Sequence, residues 1–316
     1  MADSVSWMGK RAIAAGNWGV NPGDFDPELV DRQLRNVGKL FGPGRYFDVH
    51  ADGLDAIPDG PVMLVSNHSG GTTVIDGWGL FSAWYAQFGV ERPLHGLAHE
   101  GVFATATTGR YFARSGILRA GPEVAARVVH EFGRSLIVMP GGDRDVWRSA
   151  KERYKVCFDG RKGYARTALT LGIPIVPVAH VGAHNTLHVL TDGHAFARKV
   201  GIHKLARAKI FPIHLSFPWG LAIGPWPHLP PPTRLDYRFA PAIPCPAPTG
   251  EPVSDEAVDA LDAAVRASMQ AMLDELGAAR RTTRHAGVDE VRARVGRSLR
   301  GLGKRIVRTV RGPIPA

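Results

Sequence analysis

The chain has 316 residues, 44% of them hydrophobic and 22% charged, which excludes a disordered polymer and supplies apolar mass for one large α/β core or two small ones. Two cysteines, Cys157 and Cys245, are too few for a disulfide scaffold, so a reducing compartment is expected. The formal charge of +10 is concentrated in residues 280–316, where eleven Lys and Arg face two acids, and the nearly neutral remainder excludes a nucleic-acid-binding core.

The opening residues lack the apolar core and cleavage pattern of a secretory signal. No run approaches the ~18 apolar residues of a membrane-spanning helix. A first helix is expected over 27–41, with Leu29, Leu34, Val37, Leu40 and Phe41 on its apolar side, Asp24 or Asp26 as its cap, and Gly42-Pro43-Gly44 as its stop. Residues 46–50 alternate as a strand, and Ile57 to Gly60 make a turn. The run Val62 to Val65 is continuously apolar, as a strand covered on both faces should be. Residues 77–88 follow as a helix whose aromatics suit core packing, then short strands at 94–97 and 116–118. A helix over 122–132 starts on Pro122, and Ser135 to Met139 is a second buried strand. A helix over 163–171 leads to the strand Ile173-Pro-Ile-Val-Pro-Val178. Residues 210–232 are apolar, aromatic and proline-rich, too broken to span a bilayer, and suit an ordered cover on the core or a surface dipping into lipid. A late strand is expected over 235–239, and a helix from Ser254 to about Leu276, ending at Gly277.

Strand and helix thus alternate at α/β spacing. The expected architecture is a mixed, mainly parallel sheet flanked by helices. Residues 1–44 form an N-terminal helical segment, 45–277 the α/β domain, and 278–316 a basic amphipathic tail. In that tail Val288, Val291, Val295, Leu299, Leu302, Ile306 and Val310 recur at helical spacing under a cationic face from Arg292 to Arg311. Such a helix suits an anionic lipid surface, docking on the protein's own body, or a short coiled coil. A peripheral position on the inner, cytoplasmic membrane face is expected.

The chemistry gathers where the Val62 strand ends, in Asn67-His68-Ser69-Gly70-Gly71, with Asp76 following. Open α/β sheets bind ligands at the C-terminal ends of their strands. His68 there, with Asp76 close by, is a candidate general base with an orienting carboxylate; the plainer alternative is a histidine capping a turn. His180, His184 and His188 are four apart, but Gly182 and Asn185 favour a loop over a metal-binding helix. There is no Gly-x-Ser-x-Gly elbow, phosphate loop or Rossmann glycine fingerprint.

Asn67-His68, Gly116-Ile-Leu-Arg119, Pro140-Gly141-Gly142-Asp-Arg144 and Ile173-Pro-Ile-Val-Pro177 stand in the order and spacing of the four motif blocks of the glycerolipid (lysophospholipid) acyltransferases. The chain resembles that family, in a 1-acylglycerol-3-phosphate acyltransferase-like bacterial branch, over roughly residues 45 to 245. The resemblance implies transfer of a fatty acyl group from acyl-CoA or an acyl-carrier protein to a lipid hydroxyl, with no prosthetic group. His68 would be the base and Asp76 its brace. Backbone N–H groups of Ser69, Gly70 and Gly71, and others near Pro140, Gly141 and Gly142, would face the developing oxyanion. Arg119, Arg144 and Arg148 are candidate phosphate ligands, although surface salt bridging suits Arg148 better.

Two departures from the family pattern matter. Seven residues separate His68 from Asp76 where four are usual, and Thr73 stands at the usual acid position, leaving Asp143 or Asp145 as fallback partners. Pro140-Gly141-Gly142 replaces the common Pro-Glu-Gly, so a neutral lipid, glycolipid or alcohol acceptor becomes as plausible as a phosphorylated one. A non-catalytic lipid-binding protein and a thioester hydrolase using the same histidine are the rival readings.

Overall fold

The computed structural model describes residues 18–193, 211–246, 248 and 250–310, with side chains as far as residue 282. The chain divides into two units, residues 1–273 and 274–316. The N-terminal helical segment therefore belongs to the larger unit, and the smaller unit begins at Asp274, within the last helix.

In the larger unit Asp26 caps α1 (Pro27–Val37), accepting from Leu29 N at 2.9 Å, and the proline at the first helical position loses no hydrogen bond. Then come β1 (Phe41–Gly42), β2 (Phe47–Asp52), β3 (Met63–Ser66), α2 (Ile75–Phe88), β4 (Leu94–Ala98), α3 (Ala106–Arg114), β5 (Ile117–Arg119), α4 (Pro122–Ala126, running into a π turn to Glu131) and β6 (Ser135–Val138). They are followed by α5 (Gly142–Val146), α6 (Gly163–Leu171), β7 (Ile175–Val181), β8 (His188–Thr191), β9 (Ile213–Ser216), β10 (Gly220–Ile223), β11 (Thr233–Phe239) and α7 (Asp255–Val310).

Eight strands form the main sheet in the order β1-β2-β11-β7-β3-β6-β4-β5. Every pairing in it is parallel except β11 with β7, so the sheet is mixed and mainly parallel, as the sequence indicates. All residues of β3 and β7 are buried, which explains their unbroken apolar runs. The last strand, β11, does not lie at an edge. It inserts between β2 and β7, and Leu235, Tyr237 and Phe239 enter the core with Leu64, Val176, Val178 and Trp84.

The first helix is shorter than the expected 27–41: it ends at Val37, and Phe41 is buried in β1 opposite Phe47. Three further features differ from the sequence reading. First, residues 188–191, 213–216 and 220–223 form a second sheet, antiparallel, in the order β10-β9-β8. Its strands are short and its outward face is apolar, so no polar alternation marks it in the sequence. Second, His180 lies inside β7, not in a loop after it; His184 sits in a 3-10 turn and His188 opens β8. No group of three or more His, Cys, Asp or Glu among the described residues is placed to hold a metal ion. Third, Gly277 does not stop the last helix. An interior glycine costs about 1 kcal/mol relative to alanine, too little to break a helix between Leu276 and Ala278-Ala279.

The first part of α7 buries Val258, Leu261, Val265, Met269, Met272 and Leu273 at spacings of three and four. Tyr164 donates to Asp262 Oδ1 at 2.8 Å, and Gln270 bonds Tyr154 O and Val156 N at 2.8 and 3.0 Å. The aliphatic stripe expected from Val288 to Val310 lies outside the described side chains. Among the described residues, no helix is long and apolar enough to cross a membrane.

Candidate active site

β3, β6 and β7 are adjacent and parallel, and their C-terminal ends deliver Asn67-His68, Met139 to Gly142, and His180 to one edge of the sheet. The chain turns sharply after His68. Gly70 and Gly71 adopt φ +99° and +69°, conformations that cost an L side chain energy. A Cβ on Gly71 would lie 3.2 Å from Trp147 and 3.4 Å from His228 and Leu187, so the turn is also closed from outside. A 3-10 turn, Gly71–Thr73, and Val74 at φ +49° then lead into α2, with Asp76 in its first turn.

This turn absorbs the long spacing. Asp76 Oδ2 lies 2.5 Å from His68 Nδ1, accepts from Ser69 N at 2.8 Å, and is 3.5 Å from His180 Nε2. Asp76 Oδ1 accepts from Gly77 N at 2.9 Å, and Tyr237 Oη donates to the Asp76 carbonyl at 2.7 Å. Asp76 is fully buried, whereas the His68 side chain is 16% exposed. His68 Nε2 has no hydrogen-bond partner among the described residues, which leaves that nitrogen for a reacting group. Burial opposes both charges, but the mutual attraction and hydrogen bond of the pair outweigh it: the His68 pKa is raised and the Asp76 pKa lowered.

Asp145 takes a different position from the one a fallback brace would occupy. Its Oδ2 accepts from the His68 backbone N–H at 2.7 Å, and its Oδ1 is 2.7 Å from Arg148 Nη1. Burial pushes its carboxyl up to about 6 despite Arg148 and the His68 bond. Arg148 is only 2% exposed at its side chain and also donates to the Lys155 carbonyl. The surface salt bridge expected for it is a buried ion pair, because the chain from Asp145 to Arg148 is buried throughout and Asp145 is bonded to the His68 backbone.

The remaining residues divide. The Asn67 amide is spent on the β7 backbone, donating to His180 O and accepting from His180 N, each at 2.9 Å. It fixes β3 to β7 beyond the end of their ladder. Ser69 Oγ lies 2.9 Å from His180 Nε2. Ser69 N is taken by Asp76, and Gly142 N donates to Met139 O at 3.2 Å, so neither is open to an oxyanion. Pro140 has no N–H and its carbonyl accepts from Arg161 at 3.0 Å. The N–H groups of Gly70, Gly71 and Gly141 have no partner among the described residues. Arg144 pairs with Asp159. Arg119 ends β5, three strands from β3 and so roughly 14 Å away across the sheet, where it pairs with Glu100 and donates to Trp18 O at 2.7 Å.

His180, weighed in the sequence only as a metal ligand, instead stands beside Asp76 and Ser69, a role the sequence reading did not foresee. The apolar run of β7 continues through Ala179 to Val181, which extends the strand over it.

Residues 48–181 match the family model described as Acyltransferase. An uncharacterized protein of Mycobacterium tuberculosis is 29% identical over 222 residues, covering 68% of this chain and 61% of its own length. A chicken (Gallus gallus) protein, the "DGAT1/2-independent enzyme synthesizing storage lipids", is 26% identical over 182 residues, 56% of this chain and 51% of its own. The chain thus spans about three fifths of the mycobacterial relative and half of the chicken one. Among solved structures, the 1-acyl-sn-glycerophosphate acyltransferase PlsC from Thermotoga maritima matches with a TM-score of 0.45 and 16% identity, over 79% of each chain.

Proposed function

We propose that this chain, whose residues 48–181 match the Acyltransferase family model, moves a fatty acyl group from a thioester to a lipid hydroxyl. The observation that carries the reading is the 2.5 Å contact between His68 Nδ1 and a fully buried Asp76, with Nε2 left unpartnered at the sheet edge. Asp76 fixes the tautomer with the proton on Nδ1 and steadies the imidazolium that forms, while Nε2 accepts the proton of the acceptor hydroxyl. The hydroxyl oxygen then attacks the thioester carbonyl. The tetrahedral intermediate collapses by breaking the C–S bond, and His68 returns its proton to the departing thiolate. A thioester is already activated, so no nucleophile on the protein is needed. The unpartnered N–H groups of Gly70 and Gly71 are the donors we assign to the oxyanion.

The acyl donor in this reading is acyl-CoA or an acyl-carrier protein. For the acceptor, a lipid without a phosphate monoester is favoured. Arg119 and Arg144, the sequence candidates for phosphate, are each neutralised by their own carboxylate, Glu100 and Asp159. The storage-lipid role in the name of the chicken relative supports the same preference.

The test incubates the purified full chain with acyl-CoA and, in turn, a lysophospholipid, a diacylglycerol and a long-chain alcohol. Free thiol and acylated product are followed by absorbance and mass spectrometry. Thiol release that requires an acceptor, with stoichiometric acylated product, is expected. Free fatty acid without acceptor would make the protein a hydrolase, and vesicle binding with no thiol release would make it a lipid-binding protein.

A further inference from the structure

Of the twelve large hydrophobic side chains exposed among the described residues, eight lie between residues 190 and 229. They are organised by the small sheet. The register pairs Leu215 with Leu221, Ile213 with Ile223 and His214 with Ala222. His214, Ser216 and Ala222 are buried, so one face of this sheet is turned into the protein. An antiparallel sheet with its other face in water normally presents polar residues there. Here that face carries Leu215, Leu221 and Ile223, at 46, 62 and 52% exposure, and the turns beside it carry Phe217, Trp219 and Trp226. The two indole N–H groups are satisfied within the turns, by Pro227 O at 2.6 Å and Ile223 O at 3.0 Å. Both rings therefore offer apolar surface with no unmet donor.

We infer that the outer face of β8–β9–β10 docks on an anionic lipid surface. Exposed aromatics beside aliphatic residues suit the boundary between headgroups and acyl chains. Charge points the same way. The chain joining β8 to β9, residues 194–210, has Arg198, Lys199, Lys204, Arg207 and Lys209 and no Asp or Glu in its sequence. Its flanking residues meet at the sheet, where Phe211 N donates to Asp192 O at 3.0 Å. Five cations and no acid in this connecting sequence complement anionic headgroups. The inner face completes the argument. Val189 packs with Val146, Trp147 and Leu187, and Trp147 and Leu187 also wall in Gly71 of the His68 loop. One layer of side chains thus separates the docking face from the catalytic turn. A lipid acceptor would reach His68 without leaving the membrane, a consequence that rests on the acyltransfer reading.

The experiment floats the full chain with vesicles of phosphatidylglycerol and phosphatidylcholine, comparing wild type, Leu221→Glu/Ile223→Glu, and a tail variant, Arg292→Gln/Arg294→Gln/Arg297→Gln. The sheet variant should lose at least about tenfold in binding with unchanged far-UV circular dichroism, because two aliphatic side chains no longer enter the bilayer. The tail variant should keep most of the binding. Wild-type binding by the sheet variant overturns the inference. So does a wild-type dimer that fails to bind vesicles and that the same substitutions convert to monomer. If the sheet variant does not fold, quenching of tryptophan fluorescence by brominated lipid replaces it. Trp219→Phe/Trp226→Phe should remove most of that quenching, and undiminished quenching overturns the inference. Turnover of a short-chain, water-soluble thioester and alcohol separates the two proposals. The sheet variant should retain it. If no form turns over any thioester but the sheet variant still loses binding, docking stands and the acyltransfer reading falls.

Discussion

Two loops leave adjacent strands of the same sheet edge, and each carries a buried aspartate that hydrogen-bonds His68, yet the two carboxyls shift in opposite directions. In the loop after β3, Asp76 meets the His68 ring, the Ser69 and Gly77 N–H groups and the nearby His180, and its pKa is lowered. In the loop after β6, Asp145 receives one backbone N–H and one guanidinium contact, and burial pushes its carboxyl up to about 6. At equal burial the charges around each carboxyl set the direction: His68 and His180 attract the Asp76 carboxylate, whereas for Asp145 the pull of Arg148 and the His68 bond does not overcome burial, and Asp76 adds repulsion. In the proposed reaction Asp76 stays charged beneath a histidine that becomes charged, while Asp145 bonds the backbone of that histidine.

The sharpest way to break this contrast is at the base itself. His68→Ala should lower kcat by at least ~100-fold with the fold intact by circular dichroism, and turnover near wild type would remove His68 from the chemistry. Asp76→Asn comes next, at roughly 30- to 100-fold, because the amide preserves shape but not charge. It also carries a pH signature. If His68 is the base it must be neutral to accept a proton, and its pKa is raised, so wild-type kcat/KM should rise with pH through a midpoint above 6.5. Asp76→Asn removes the cause of that elevation and should move the midpoint toward acid; an unmoved midpoint assigns the titration to another group.

His180→Gln should cost less, under about tenfold, since the ring is 3.5 Å from Asp76 and touches Ser69 Oγ. Restoration of the rate by His180→Asn would mark the role as positioning. Asp145→Asn should have the smallest effect on rate, below about threefold, because an amide oxygen still accepts from the His68 N–H. Its effect is on stability against pH. The folded carboxyl binds its proton more tightly than the unfolded one, so Asp145 contributes stability that is lost as pH rises from about 4 to about 6. Urea denaturation of the variant should show a shallower loss over that interval, and parallel curves would contradict the elevated pKa.

Much of the site was legible because it sits where apolar runs end. The runs before His68 and Pro140 mark buried parallel strands, and their exits are the edge where His68, Gly141 and Asp145 converge. The seven-residue gap to Asp76 needed coordinates, because it closes through a 3-10 turn and a left-handed Val74 that no periodicity announces. The place of His180 beside Asp76 was hidden because Pro174 and Pro177 suggested an irregular strand end, whereas pairing with β3 and β11 carries β7 on to Val181. The small sheet was hidden for the converse reason. Its outer face is apolar, so the polar alternation that signals a half-exposed strand is missing. Arg119 follows the motif order but lies at the far end of the sheet from His68, a separation that linear spacing does not reveal.

The insertion of β11 between β2 and β7 has a consequence for how a newly made chain matures. Until residue 239 is available, β2 has no partner linking it to β7, and the Tyr237 hydroxyl that holds the Asp76 peptide is missing. Pairings this distant along the chain form late, after many local contacts. Nascent or prematurely terminated chains ending before β11 would carry His68 and Asp76 yet lack the strand whose Tyr237 hydroxyl holds the Asp76 peptide.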